Sequence, residues 1–131
     1  MPGERGLLPV DGAAACFRPD NVHFSPVRLI CAEDTSNRGG GTVYPLDLLD
    51  ALGELATARG VAAHLDGARL MNAVVASGVP AARRVRAYDT VSLCLSKGLG
   101  APVGSLLAGP AALIHRGRRV RKAFGGGMRQ A

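Results

Sequence analysis

The stretch that decides the fold is residues 61–104, VAAHLDGARLMNAVVASGVPAARRVRAYDTVSLCLSKGLGAPVG. It contains two similar signals, each a short apolar run that ends near a charged residue followed by glycine: Asp66 and, 31 positions later, Lys97. An apolar run of that length is typical of a buried strand, and the glycine marks its exit. We therefore expect Asp66 and Lys97 at the strand ends, which is the sheet edge where α/β proteins bind ligands.

The flanking segments extend the same pattern. RLICAED (28–34) predicts a strand, PLDLLDALGELATARG (45–60) predicts an amphipathic helix, and VAAHLD (61–66) predicts the next strand. This order implies a right-handed crossover with parallel pairing. The later segments predict helices over 69–78 and 79–88, a strand over 89–97, a strand over 104–110 and a helix over 111–127. The fold class is therefore α/β, a mostly parallel sheet with helices on its faces.

Length and charge limit the function classes. The chain of 131 residues is one domain at most, and 47% hydrophobic residues suffice to bury a core. The net charge of +6 raises nucleic-acid binding as a minor alternative. Against it, the arginines are spread along the chain and few aromatic residues are available to stack on bases. Two local clusters exist, Arg83–Arg84–Arg86 and a run from Arg116 to Lys122. We expect both clusters to be solvated helix faces, so a nucleic-acid partner is not expected.

The cysteines and the apolar runs indicate the cellular compartment. The three cysteines form no CxxC pair and show no metal-ligand spacing, so no metal site is expected. Cys31 and Cys94 lie in apolar runs and are expected to be buried free thiols, which favours a reducing compartment. No apolar stretch reaches about 18 residues, and the N-terminus lacks a secretory signal. The prediction is a cytoplasmic protein without a membrane segment.

A lysine and an acid at one sheet edge suggest a specific chemistry. A lysine amine can form a Schiff base with an aldehyde such as that of pyridoxal 5'-phosphate (PLP), and a carboxylate can keep the pyridine nitrogen of PLP protonated. The alternative is an ordinary strand-end acid and a surface lysine. Against it, the chain has two lysines and fourteen arginines, and Lys97 lies in an apolar, glycine-rich stretch. We expect apolar walls around Lys97, and for His64 a hydrogen bond within the fold rather than catalysis.

Several long sequence words carry a family resemblance. HLDGARLMNAVVASGV, SLCLSKGLGAPVGSLL and RKAFGGGMRQ resemble the low-specificity L-threonine aldolase family, a branch of the PLP-dependent fold type I lyases. EDTSNRGGGTVYPLDLLD is similar to that family as well, and the words are collinear from about Arg18 to the end. The resemblance implies a poorly defined N-terminal segment over 1–17 and a partial PLP-binding large domain over 18–131. The family's phosphate-loop part and its small C-terminal domain have no counterpart in the chain.

The resemblance implies a reaction and a set of site residues. The reaction is retro-aldol cleavage of a β-hydroxy-α-amino acid, L-threonine or L-allo-threonine, to glycine and acetaldehyde, in a homo-oligomer. Lys97 would bind PLP, Asp66 would hold the pyridine nitrogen, Ser96 would hydrogen-bond the phosphate, and Arg69 would contact cofactor and substrate carboxylate. The residues implied on the substrate side are Arg69, Lys122 and Arg129. The alternative is a truncated, non-catalytic aldolase-like chain.

The chain departs from the family pattern after its first predicted strand. The family has Glu-Asn-Thr-His-Asn where this chain has Glu33-Asp34-Thr35-Ser36-Asn37. The changes are therefore Asn to Asp34 and His to Ser36. Whatever an imidazole does there in the family, this chain cannot do it at that position.

Overall fold

The computed structural model describes residues 3–127 and residue 129, and these form an α/β fold. The strands are β1 (Leu29–Glu33), β2 (Ala62–Asp66), β3 (Thr90–Cys94) and β4 (Ser105–Ala108). The helices are α1 (Val10–Ala14), α2 (Leu46–Ala58), α3 (Leu70–Ser77), α4 (Ala81–Arg84) and α5 (Ala111–Ala123), after a 3₁₀ turn at Glu4–Gly6. The four strands pair in the order β1-β2-β3-β4; the first three are parallel, and β4 is antiparallel to β3. The predicted fold class is confirmed.

Alternate residues of the strands build the core. The core side chains from β1, β2 and the facing helix α2 are Ile30, Ala32, Ala63, Leu65, Leu49, Leu52 and Ala56. Full burial of one such leucine stabilises the fold by about 1.5–3 kcal/mol. The opposite face of β1 and β2 is exposed or half-buried in the described part of the chain, and it carries Cys31. The expectation of buried thiols is therefore wrong: Cys31 is exposed and Cys94 is half-buried.

Glycines fix the ends and the packing of the helices. The C-terminal ends predicted for α2 and α3, at residues 60 and 78, are confirmed. Gly60 (φ +63°) and Gly78 (φ +69°) adopt the left-handed conformation that glycine tolerates and that ends a helix. Within α2, a Cβ added at Gly53 would lie 2.4 Å from the Cβ of Ala87. Only glycine lets α2 approach the segment after α4 this closely.

The first basic cluster is not a solvated helix face. The helix predicted over 79–88 is only one turn, α4, and the chain continues as a turn. Arg84 is buried with 1% exposure, and Arg83 pairs with Asp50 through two hydrogen bonds, one of them 2.8 Å long. The prediction was wrong here because both arginines meet acids from distant segments. Arg86 remains largely exposed, 3.9 Å from Asp50.

The C-terminal strand β4 is an edge strand of the sheet, and α5 follows it in the chain. All four residues of β4 are exposed, and so are Leu113 and Val120 of α5 and Phe124 just after it. In the described part of the chain, no residue of α5 is buried. Over the same residues, no helix is long and apolar enough to cross a membrane.

Candidate active site

The three parallel strands bring their carboxyl ends to one edge, as predicted. Asp66 is the last residue of β2, and Lys97 follows the end of β3 by three positions. In the register of the sheet, Asp66 pairs with Glu33 on one side and with Ser92 on the other. Asp66 and the turn that carries Lys97 therefore leave neighbouring strands at the same edge.

Asp66 is held by one of its two carboxylate oxygens. Its Oδ1 accepts the backbone N–H of Ala68 at 3.1 Å and the hydroxyl of Ser92 at 3.2 Å. A Cβ at Gly67 would lie 2.7 Å from the carbonyl oxygen of Ser92, so the chain can leave β2 this tightly only with glycine there. Among the described residues, no donor contacts Oδ2, which leaves this oxygen able to accept a further hydrogen bond.

Lys97 lies on an exposed turn. The turn is closed by the backbone N–H of Gly100, which donates to the carbonyl of Lys97 at 3.0 Å. Both Lys97 and Ser96 are exposed, so the expectation of apolar walls around Lys97 is wrong for the described part of the chain. The turn nevertheless packs on α3, because a Cβ at Gly98 would lie 2.3 Å from Oδ1 of Asn72.

Arg69 follows Asp66 by three positions, and its side chain faces the carboxylate of Glu33. It is the residue before α3, and its Nη1 lies 3.8 Å from Oε1 of Glu33. The other oxygen of Glu33 accepts the backbone N–H of Asn37 at 3.1 Å. Arg69 is thus at the predicted edge, with an ion pair that the sequence did not indicate.

The remaining candidates lie apart from this cluster of contacts. Lys122 and Arg129 are exposed, and no hydrogen bond or ion pair among the described residues joins either to Asp66 or Lys97. His64 has the structural contact that was expected, with Nδ1 2.7 Å from the hydroxyl of Thr90.

A buried ion pair under the same edge was missed from the sequence. Asp34 and Arg84 are 0% and 1% exposed. Nε and Nη2 of Arg84 donate to Oδ2 of Asp34 at 2.8 and 2.6 Å. Nη2 also donates to the carbonyl of Tyr44 at 2.8 Å, and Nη1 donates to the hydroxyl of Ser77 at 3.2 Å. Oδ1 of Asp34 accepts the N–H of Tyr44 at 3.1 Å. The departure at Asp34 thus places a charge where Arg84 neutralises it.

Ser36 anchors the N-terminal segment. Its hydroxyl donates to the carbonyl of Gly6 at 3.2 Å and accepts the N–H of Gly39 at 3.4 Å. A Cβ at Gly39 would lie 1.8 Å from the carbonyl oxygen of Arg5, so the two loops touch backbone to backbone. Ser36 is buried, and in this chain its position serves a tertiary contact.

The family model for beta-eliminating lyases matches residues 1–131. The chain belongs to the beta-eliminating lyase family. The match includes residues 1–17, which the quoted words did not cover.

Relatives within this family are longer than the chain. A probable low-specificity L-threonine aldolase 2 of Arabidopsis thaliana is 46% identical over 129 residues, which are 97% of this chain and 36% of that protein. The low specificity L-threonine aldolase of Escherichia coli K12 is 45% identical over 126 residues, covering 96% and 37%. The threonine aldolase of Leishmania major is 24% identical with a TM-score of 0.81 over 95% of this chain and 37% of that chain, which supports the fold. The chain thus spans about a third of the length of the relatives that it matches.

Proposed function

We propose that this chain carries the lysine and carboxylate of a PLP-dependent threonine aldolase site. The reaction is retro-aldol cleavage of L-threonine or L-allo-threonine to glycine and acetaldehyde. The observation that carries the proposal is the common strand edge of Asp66 and the Lys97 turn, on neighbouring parallel strands. Relatives named as low-specificity L-threonine aldolases, at 45–46% identity, support the same substrate class.

The carboxylate of Asp66 fits the ring nitrogen of PLP. Oδ1 of Asp66 is occupied by Ala68 and Ser92, whereas Oδ2 has no donor among the described residues. A protonated pyridine nitrogen offers one N–H, which matches one oxygen of a fixed carboxylate. When bound, PLP supplies an electron sink for the electron pair that the broken Cα–Cβ bond leaves behind.

Each side chain then has a defined task. Lys97 would hold the cofactor through its exposed amine, and Ser96 beside it would donate a hydrogen bond to the cofactor's phosphate. Asp66 would hold the proton at the ring nitrogen. Arg69 orients the substrate carboxylate, because its planar fork matches two carboxylate oxygens. Further candidates for the substrate side are Lys122 and Arg129.

We further propose that the working enzyme is cytoplasmic and self-associates, with residues 18–131 as part of the PLP-binding domain. The alternative function is an aldolase-like chain that does not catalyse the reaction by itself. The exposure of Lys97 and Ser96 favours that alternative, because an open site leaves both the amine and the cofactor phosphate in water.

Reductive trapping tests the proposal. The chain is incubated with PLP, reduced with borohydride and mapped by mass spectrometry. We expect a pyridoxyl adduct on Lys97 that is lost in Lys97→Ala and reduced in Asp66→Ala. Lys122, the second lysine, is the internal control. Equal labelling of both lysines, or none, contradicts the proposal.

A turnover assay then separates the two functions. The aldolase releases glycine and acetaldehyde in equal amounts from L-threonine, and Lys97→Ala abolishes the release. Labelling confined to Lys97 without acetaldehyde release identifies the non-catalytic alternative.

A further inference from the structure

Glu33 is a second carboxylate at the edge that carries Asp66. It is the last residue of β1, and its Cα is the register partner of Asp66. Register partners on parallel strands point to the same face, about 4.8 Å apart. A cation beside either side chain offsets the repulsion between two carboxylates at one sheet edge.

Arg69 supplies that cation, and Glu33 is built to hold it. Oε2 of Glu33 is fixed by the N–H of Asn37 at 3.1 Å, which turns Oε1 toward Nη1 of Arg69 at 3.8 Å. The side chains are 38% and 29% exposed, so the pair lies at the surface of the edge. One carboxylate oxygen is thus anchored by the backbone, and the other faces the guanidinium.

The contact leaves the guanidinium able to bind something else. At 3.8 Å it is an ion pair without a hydrogen bond. Over the described residues, none of the five N–H groups of Arg69 donates a hydrogen bond. An oriented guanidinium with its donors unused can bind a carboxylate through two parallel hydrogen bonds.

We propose that Glu33 is a positioning residue for Arg69, holding its guanidinium at the strand edge that also carries Asp66, so that the fork faces the carboxylate of an α-amino acid. This inference rests on the proposed function, since that function brings an amino acid to this edge. Glu33 acts through Arg69 and itself takes no part in the chemistry.

The sign of the effect separates positioning from simple charge repulsion. If Glu33 only added negative charge, Glu33→Gln would strengthen the binding of an anionic carboxylate. If Glu33 orients Arg69, the same change weakens binding, because the guanidinium must be ordered when the ligand arrives. Gln keeps an oxygen that can accept the N–H of Asn37, so the change removes the charge and little else.

The first measurement needs no cofactor. The Nε–Hε resonance of Arg69 is assigned by NMR from its loss in Arg69→Lys, and its heteronuclear NOE reports the order of the side chain. In Glu33→Gln we expect the resonance to move toward those of exposed arginines and its NOE to fall. Glu54→Gln is the matched control, because Glu54 is an exposed acid on α2 without an ion pair among the described residues. An unchanged resonance in Glu33→Gln overturns the proposal.

The second measurement is a titration of the PLP-loaded chain with glycine. The change in absorbance of the lysine-bound cofactor reports glycine binding. We expect the half-saturating glycine concentration to rise about two- to five-fold in Glu33→Gln, as for loss of one exposed ion pair, and to stay constant in Glu54→Gln. Tighter or unchanged glycine binding in Glu33→Gln overturns the proposal. If the parent chain binds no PLP, the proposed function fails, and the NMR result still decides whether Glu33 holds Arg69.

Discussion

The buried Asp34–Arg84 ion pair should dominate the stability of the chain. We predict that Arg84→Met causes a large loss of folding free energy. Methionine fills a similar length of the cavity without any donor. Asp34 then keeps only the N–H of Tyr44, and the carbonyl of Tyr44 and the hydroxyl of Ser77 each lose a donor.

The structure sets the size of this loss. Removing one partner of a buried pair leaves the other charge without compensation and costs about 3–5 kcal/mol. The total free energy of unfolding of a domain is about 5–15 kcal/mol, so the variant should fold but be strongly destabilised. With a urea dependence of about 2 kcal/mol per molar, the unfolding midpoint falls by about 2 M.

Urea unfolding followed by circular dichroism measures the effect, and the neighbouring arginine provides the control. Arg83 also pairs with an acid, Asp50, but its side chain is 32% exposed against 1% for Arg84. Arg83→Met should therefore shift the midpoint much less. The double variant Asp34→Asn with Arg84→Met removes both charges and should recover part of the loss. Equal shifts in Arg83→Met and Arg84→Met, or no recovery in the double variant, would refute the reasoning.

Two further predictions concern the surface pair and the lysine turn. The hydrogen bond from Arg83 lowers the pKa of Asp50 below its usual 3.8, so the pair stabilises the fold above that pH and the contribution is lost as pH falls through the lowered value. Urea unfolding at pH 7 and at pH 3 measures how much stability the chain loses in acid. This loss should be smaller in Arg83→Met than in the parent chain, and an equal loss in both contradicts the prediction. Gly98→Ala puts a methyl group 2.3 Å from Oδ1 of Asn72, and because the Asn72 side chain is exposed and can turn away, the change should cost less than about 0.5 kcal/mol of folding free energy. Urea unfolding measures this cost, and a larger loss that Asn72→Ala does not relieve would contradict the prediction.

The strand edge was predictable because its signals are local. An apolar run, a charged residue and a glycine follow one another within a few positions at Asp66, and backbone geometry requires the glycine there. The order of strand and helix then imposes parallel pairing. The placement of Asp66 and of the Lys97 turn at one edge needed no knowledge of distant contacts.

The environment of each arginine was not predictable in the same way. Arg83 and Arg84 are adjacent and identical in type, yet one is half-exposed and the other is buried. The difference depends on Asp34, which lies 50 positions earlier in the chain and contacts Arg84 only through the tertiary fold. For the same reason, the apolar residues near Lys97 in sequence do not tell whether anything covers it.

The two departures after β1 together fix the segment that begins with Glu33. Asp34 forms the buried ion pair with Arg84, and the hydroxyl of Ser36 donates a hydrogen bond to the carbonyl of Gly6 in the N-terminal segment. Asn37, the residue directly after Ser36, donates its N–H to Glu33. The orientation of Glu33 therefore depends on contacts in the core beneath it. Loss of the buried pair should thus loosen Arg69 as well, although Arg84 and Arg69 share no contact among the described residues.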